Sequence, residues 1–323
     1  MQKQGKTNLY IGVFTITLAT LTSCTFDFME KRSIEYNSGG LPSSDVFDSF
    51  MPDSSSSTSS TPKTSSSIGP IGNYVLKFSD EFEGNSLNED YWNIEIGTGG
   101  NYGLTDWGNG EAQYYIKDSL TVSNGTLKIT AKRENNGGKQ FTSGRIQTRN
   151  HVYYTYGYFE SRIKMPIGTG LWPAFWMLPN DEHIYNGWAA SGEIDIMEVR
   201  GRLPYEAVTT LHYGGQWPNN KHTGKSNEIP NGGKIDEFHT YGAEWTSEYI
   251  AFYIDRKFVY KVTNATYYST SAPNNPSAPF DVDFYLLLNF AIGGNFDGGQ
   301  MPISSFTSAD MEIDYVKVWQ LES

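Results

Sequence analysis

The run ASGEIDIMEVRG holds three carboxyl-bearing residues, Glu193, Asp195 and Glu198, within six positions of what otherwise reads as a buried β-strand. Acidic residues are depleted in strands, and an unpaired carboxylate is costly to bury. Residues two apart on a regular strand share a face. Glu193 and Asp195 then point one way, with Ile194 and Ile196 pointing into the core. Continuing the alternation would send Met197 to the acidic face and Glu198 into the apolar layer. One extra residue, inserted as a β-bulge around Ile196 to Met197, turns Glu198 back beside the other two. Two carboxyls roughly 5 Å apart suit double displacement at an acetal carbon, one acting as nucleophile and one as general acid/base. Crowding of three acids should raise at least one pKa, which is what a proton donor at neutral pH needs. A solvated outer face, pairing with basic residues and binding of a cation are the competing readings of the same cluster.

Such a strand needs a sheet to hold it. Short segments of period-two alternation recur from residue 74 onward, among them SLTVSNGTLKITAKR, YGYFESRIKM, AVTTLHYG, DFYLLLNFAIGG and MEIDYVKVWQ. Hairpin punctuation separates several of them, as at Ser123 to Gly125 and Ile254 to Lys257. No stretch of twelve residues keeps a helical period, and there is no internal repeat. The pattern predicts an all-β sandwich or barrel. Trp92, Trp245 and Trp319 sit in strand-like alternation and are expected in the core. The first strand, YVLKFSDEF, and the last, MEIDYVKVWQ, carry acids that would meet if the terminal strands lie together.

The N-terminus is of another kind. Lys3 and Lys6 precede an apolar stretch from Leu9 to Leu21, which is short for a membrane span and reads as a signal peptide. It ends in LTSC, and Cys24 is the only cysteine of the chain. A hydrophobic residue, two small ones and Cys match a bacterial lipobox, so Cys24 is expected to carry lipid and anchor the protein to a membrane. Residues 1–24 form the expected leader. Residues 25–71, rich in Ser, Thr and Pro, form a flexible tether, and 72–323 a single folded domain. An exported, membrane-anchored lipoprotein on the periplasmic or cell-surface side follows from this organisation. With Cys24 used, no thiol remains for a disulfide, a metal cage or a nucleophile. The net charge of −12 argues against nucleic acid as a partner. An acidic balance with 15% aromatic residues fits a binder of neutral sugars.

GLWPAFWMLP followed by SGEIDIMEVRG resembles glycoside hydrolase family 16 (GH16), and in particular its laminarinase-type endo-β-1,3-glucanases. The likeness extends through FSDEFEG, WGNGEAQYY, SGRIQTR, TTLHYG, FHTYGAEW, LLLNFAIGGNFDG and IDYVKVWQ. The six-residue E-I-D-I-M-E matches the bulged form of the family motif. The resemblance implies a β-jelly roll of two curved antiparallel sheets, with the substrate cleft across the concave face. It implies Glu193 as nucleophile, Asp195 as assisting residue and Glu198 as acid/base. It also implies sugar contacts from Asn109, Glu111, Arg145, Trp172, Trp176, Trp188 and His212. For Trp176 core packing, and for His212 a structural role, are close rivals. A structural calcium, held around Glu83, the carbonyl of Gly125 and Asp314, is implied away from the cleft. No cofactor is expected for catalysis, and the protein is expected to be a monomer.

HTGKS (His222 to Ser226) ends like a phosphate-binding loop, but Asn219 occupies the position of the first glycine and no apolar strand leads into it. The substrate implied is a β-glucan such as laminarin, with mixed-linkage β-1,3/1,4-glucan as a second polymer. Agarases and carrageenases share the bulged motif, and non-catalytic glucan-binding modules share the scaffold. Retention of both outer glutamates favours an enzyme over a binding module.

Overall fold

The computed structural model describes residues 72–322; the expected leader, Cys24 and the expected tether lie outside them. The first strands along the chain are β1 (Tyr74–Asp80), β2 (Asn93–Ile94), β3 (Gln113–Tyr115), β4 (Leu120–Ser123), β5 (Thr126–Lys132) and β6 (Phe141–Ser143). There follow β7 (Arg145–Gln147), β8 (Tyr153–Tyr154), β9 (Gly157–Lys164), β10 (Leu171–Pro179), β11 (Glu193–Glu198) and β12 (Glu206–Gly214). The last are β13 (Asn220–Glu228), β14 (His239–Trp245), β15 (Tyr249–Ile254), β16 (Lys257–Thr263), β17 (Phe284–Ile292) and β18 (Ser308–Leu321). Among the described residues the only helices are single 3-10 turns.

The strands form two sheets. One runs β16-β15-β14-β9-β18-β5-β6-β3, with β1 beside β18 and β4 beside β5. The other runs β13-β12-β11-β10-β17-β7-β2, with β8 beside β17. Pairing is antiparallel throughout except between β3 and β6. This is the sandwich, of the two alternatives the alternation pattern left open, in the two-sheet jelly-roll form that the resemblance implies.

Local sequence explains the joints. Between β4 and β5, Asn124 and Gly125 both take positive φ, 52° and 68°, the mirror-image turn that matches strand twist in a two-residue hairpin. The terminal strands do lie together, with Asp80 opposite Val316. Trp92 and Trp245 are in the core, and their indole N–H groups are satisfied by Asp80 at 2.8 Å and the Phe280 carbonyl at 3.0 Å. Trp319 is buried as expected, packed against Tyr158 beside the main cluster. It shares its strand face with Tyr315 and Lys317, opposite that of Val316 and Val318.

β17 (FYLLLNFAI) is the spine of the cleft sheet and is buried at every position. Phe284, Leu286, Leu288, Phe290 and Ile292 belong to the core between the sheets. Each such side chain contributes about 1.5–3 kcal/mol on burial. Tyr285, Leu287, Asn289 and Ala291 alternate to the other face, which is the floor of the cleft.

Candidate active site

β11 lies between β10 and β12 in the middle of the cleft sheet. Towards β10, Met197 faces Phe175 and Asp195 faces Trp176, so Ile196 is one residue in excess. Towards β12, Asp195 faces Thr210 and Glu198 faces Val208, again one residue in excess on β11. This register shift is the bulge that strand parity demands. It sends Ile194, Ile196 and Met197 into the core and leaves Glu193, Asp195 and Glu198 lining one cleft. The cleft encloses about 640 Å³ and runs from Glu95 and Tyr102, beside β2, to Trp188 and Trp217 near the far edge of the sheet.

Each outer glutamate receives its own indole donor. Trp188 Nε1–H donates to Glu193 Oε2 at 2.9 Å, and Trp172 Nε1–H to Glu198 Oε1 at 3.1 Å. His212 stands opposite Glu193 on β12, its Nε2 3.4 Å from Asp195 Oδ2 and 3.7 Å from Glu193 Oε1. Burial, then the neighbouring Asp195 charge, pushes the Glu193 carboxyl up to about 7. The same two causes raise Glu198 well above the usual carboxylate range. Burial works against a charged His212, but the close Asp195 carboxyl and the charges of Glu193, Asp195 and Glu198 outweigh it and lift the imidazole to about 9.

Glu193, Asp195 and His212 bring one ligand atom each within 4.8 Å of one another, the only such group of three His, Cys, Asp or Glu among the described residues. The His212 imidazolium already supplies there the positive charge that a cation would bring. Near neutral pH the arrangement can hold one carboxylate and one carboxylic acid on the same strand, which is what acid-assisted nucleophilic displacement requires.

The expected sugar contacts fall into two groups. Trp172, Trp176, Trp188, Asn109, Glu111 and Arg145 all line the cleft, and His212 sits beneath Trp188, ring centroids 5.6 Å apart. Several are already engaged by protein. Glu111 is buried and receives hydrogen bonds from Gln113 at 2.5 Å, Tyr115 at 3.0 Å and Asn109 at 3.4 Å. Arg145 lies between the rings of Trp107 and Trp176, 4.3 and 4.9 Å from their centroids, and pairs with Glu95. Trp176 Nε1–H donates to Asn289 at 2.7 Å, and Asn289 in turn donates to the Tyr115 hydroxyl at 3.0 Å.

The motif reading omitted Glu95, Tyr102, Trp107, Asn289 and Trp217. Asn289 had a visible signal, as the lone amide in the apolar run LLLNFAI. Glu95 and Tyr102 had none: the Tyr102 hydroxyl donates to Glu95 at 2.5 Å, but Glu95 is brought to the cleft by its pairing with Arg145, 50 positions away.

The expected calcium ligands lie on or near paired strands. Ile313 faces Leu127, two residues from Gly125, and Asp80, three residues from Glu83, faces Val316. A carboxylate, a carbonyl and a second carboxylate suit a hard cation. Asp314 also accepts a hydrogen bond from Arg162 at 2.9 Å, so an ion there would share that carboxylate with a guanidinium.

The family model described as the GH16 domain of β-porphyranases A–D matches residues 73–321. Glucan endo-1,3-beta-glucosidase A1 of Niallia circulans is 44% identical over 266 residues, covering 77% of this chain but only 38% of that protein's length. Glucan endo-1,3-beta-glucosidase of Cryptopygus antarcticus is 37% identical, with 77% of this chain and 93% of the relative covered. Among solved structures, the endo-beta-1,3-glucanase of Pyrococcus furiosus superposes with a TM-score of 0.70 at 35% identity, covering 79% of this chain and 98% of that one. With an acidic, bulged strand in a two-sheet jelly roll and a family match across the whole described domain, the chain belongs to glycoside hydrolase family 16.

Proposed function

We propose that the domain hydrolyses internal β-1,3 linkages of β-glucans such as laminarin, by double displacement with retention of anomeric configuration. The observation that carries this reading is the placement of Glu193 and Glu198 on one bulged strand, both in an indole-lined cleft and both with raised pKa. Ionised Glu193, steadied by Trp188, attacks the anomeric carbon while Glu198 protonates the departing glycosidic oxygen. Water then opens the glycosyl-enzyme with Glu198 acting as base. Asp195 holds His212 beside the nucleophile, and the imidazolium offsets the crowded negative charge. Trp172, Trp176 and Trp188 offer faces for pyranose C–H groups.

The names of the glucan-cleaving relatives support the choice of polymer. The description of the matching family model favours a second reading, cleavage of a sulfated galactan on the same machinery. Reducing-end release from laminarin, mixed-linkage glucan, agarose, κ-carrageenan and porphyran separates them. Cutting of laminarin is the expected result, and activity confined to a galactan would replace the substrate while keeping the mechanism.

Two further parts of the proposal concern other regions. The calcium set Glu83, Gly125 and Asp314 would brace the terminal strands and take no part in the chemistry. Cys24 would carry lipid, so that the enzyme works from a membrane surface at the end of a Ser-rich tether. Mass spectrometry of the N-terminal peptide, with Cys24→Ala as control, tests the anchor.

A further inference from the structure

Of the eight tryptophans, Trp217 was singled out by no motif, yet it is the most exposed large apolar side chain among the described residues, at 73%. An isolated exposed apolar side chain needs no explanation. Trp217 differs in three respects. It lines the same cleft as Glu193 and Trp188. Its backbone is tied down, with Trp217 N–H donating to the Trp188 carbonyl at 3.2 Å and Asn219 N–H to the Gln216 carbonyl at 2.7 Å. The Gln216 side chain also donates to the Asn186 carbonyl, so the β12–β13 loop and the β10–β11 loop are laced into one ledge. Third, its indole is unengaged. Trp92, Trp107, Trp172, Trp176, Trp188 and Trp245 all spend their N–H groups within the protein. Trp319 is buried. Trp217 makes no side-chain hydrogen bond and no ring contact among the described residues.

We propose that Trp217 forms a sugar-stacking subsite at the hairpin end of the cleft, for a pyranosyl residue of the bound polysaccharide remote from the bond being cut. The proposal rests on the polysaccharide-cleaving function given above. A rigidly mounted indole with a bare face and an unspent donor suits the apolar C–H face and the hydroxyl rim of a hexopyranose. Trp188 is committed to Glu193 and so belongs to the reaction centre, and Trp217 continues the same ledge outward. Arg145, Glu95 and Tyr102 stand at the opposite end. A chain must therefore cross the cleft sheet and run past Trp188 before it meets Trp217, which makes the contact dependent on chain length.

The test is kcat/KM of wild type, Trp217→Ala and Trp217→Phe on laminari-oligosaccharides from trimer to heptamer. Affinities of the same oligomers are measured in parallel on a Glu193→Gln background. The loss in Trp217→Ala is expected to grow with chain length, reaching about three- to tenfold on the longest oligomer, mainly through KM. Trp217→Phe should recover most of it, and the melting temperature should not move. A loss equal at every length, or no loss at all, overturns the proposal. If the wild type cuts only another polymer of the panel, the glucan reading fails. The same length series with that polymer's oligomers then decides the role of Trp217.

Discussion

Glu193 and Glu198 differ in what surrounds them more than in what they are. Glu193 has the Trp188 donor and the nearby imidazolium, both favouring its ionised form, and its pKa settles near 7. Burial and the neighbouring Asp195 charge also raise Glu198 well above the usual carboxylate range. Activity should therefore fall as pH drops through about 7, where Glu193 gains a proton, and fall again at higher pH as Glu198 loses its own. His212 lowers both carboxyl pKa values, so His212→Ala should move the acidic limb of the kcat/KM profile to higher pH. An unmoved limb would remove His212 from the electrostatic account. Glu193→Gln and Glu198→Gln should each cost at least ~10³-fold in kcat with the fold intact, checked by reducing-end assay and circular dichroism. The three acids were legible in sequence because strand parity leaves a buried Glu198 no other escape. The partners that set their roles were less so. That Trp172 serves Glu198 and Trp188 serves Glu193 depends on loops and register that no local pattern encodes.

At the scale of elements, the site depends on close packing behind β10. Trp172 stacks on Phe296 at 5.0 Å, and Gly294 lies beneath its ring. A Cβ at Gly294 would come within 2.7 Å of the indole, at a φ of +81° that also disfavours a side chain. Gly294→Ala should displace Trp172 and the carboxyl it holds, lowering kcat/KM by about 10²-fold. Gly298→Ala is the control, since it carries the same kind of strained φ, +65°, with nothing within 4 Å of the added methyl. It should cost stability of about 1 kcal/mol and little activity. Equal activity losses in the two variants would assign the effect to backbone strain alone. Strands with apolar alternation, such as β12 and β17, were readable in the sequence. β13 (NKHTGKSNE) was not, since it is a polar, mostly exposed edge strand that β12 holds in place by backbone pairing. The bland-looking HTGKS run thus sets His222 beside His212 at the rim of the site.

Across the whole molecule, the raised carboxyl has a thermodynamic consequence. Glu193 goes from an ordinary value of 4.5 to about 7 on folding, so its favourable contribution is complete below pH ~4.5 and is lost as pH rises through about 7. Glu193→Gln cannot ionise and should gain melting temperature relative to wild type between about pH 5 and pH 8. A constant difference across that range would contradict the burial argument. If calcium binds where β1, β5 and β18 converge, chelation should lower the melting temperature without changing kcat/KM at temperatures where the fold survives. An all-β sandwich or barrel was legible from alternation, and the choice of two sheets from the resemblance, but which strand lies beside which was not, because the pairings are long-range. The floor of the cleft shows this best. Trp176 and its partner Asn289 stand 113 positions apart, and the first strand of the domain pairs with the last. A nascent chain that has emerged as far as β11 has all three carboxyls in hand and no surface to set them on. Catalysis thus begins only once β17 and β18 have followed, and a protease that severs the chain after β11 and releases β17 would switch the enzyme off without touching a single reacting group.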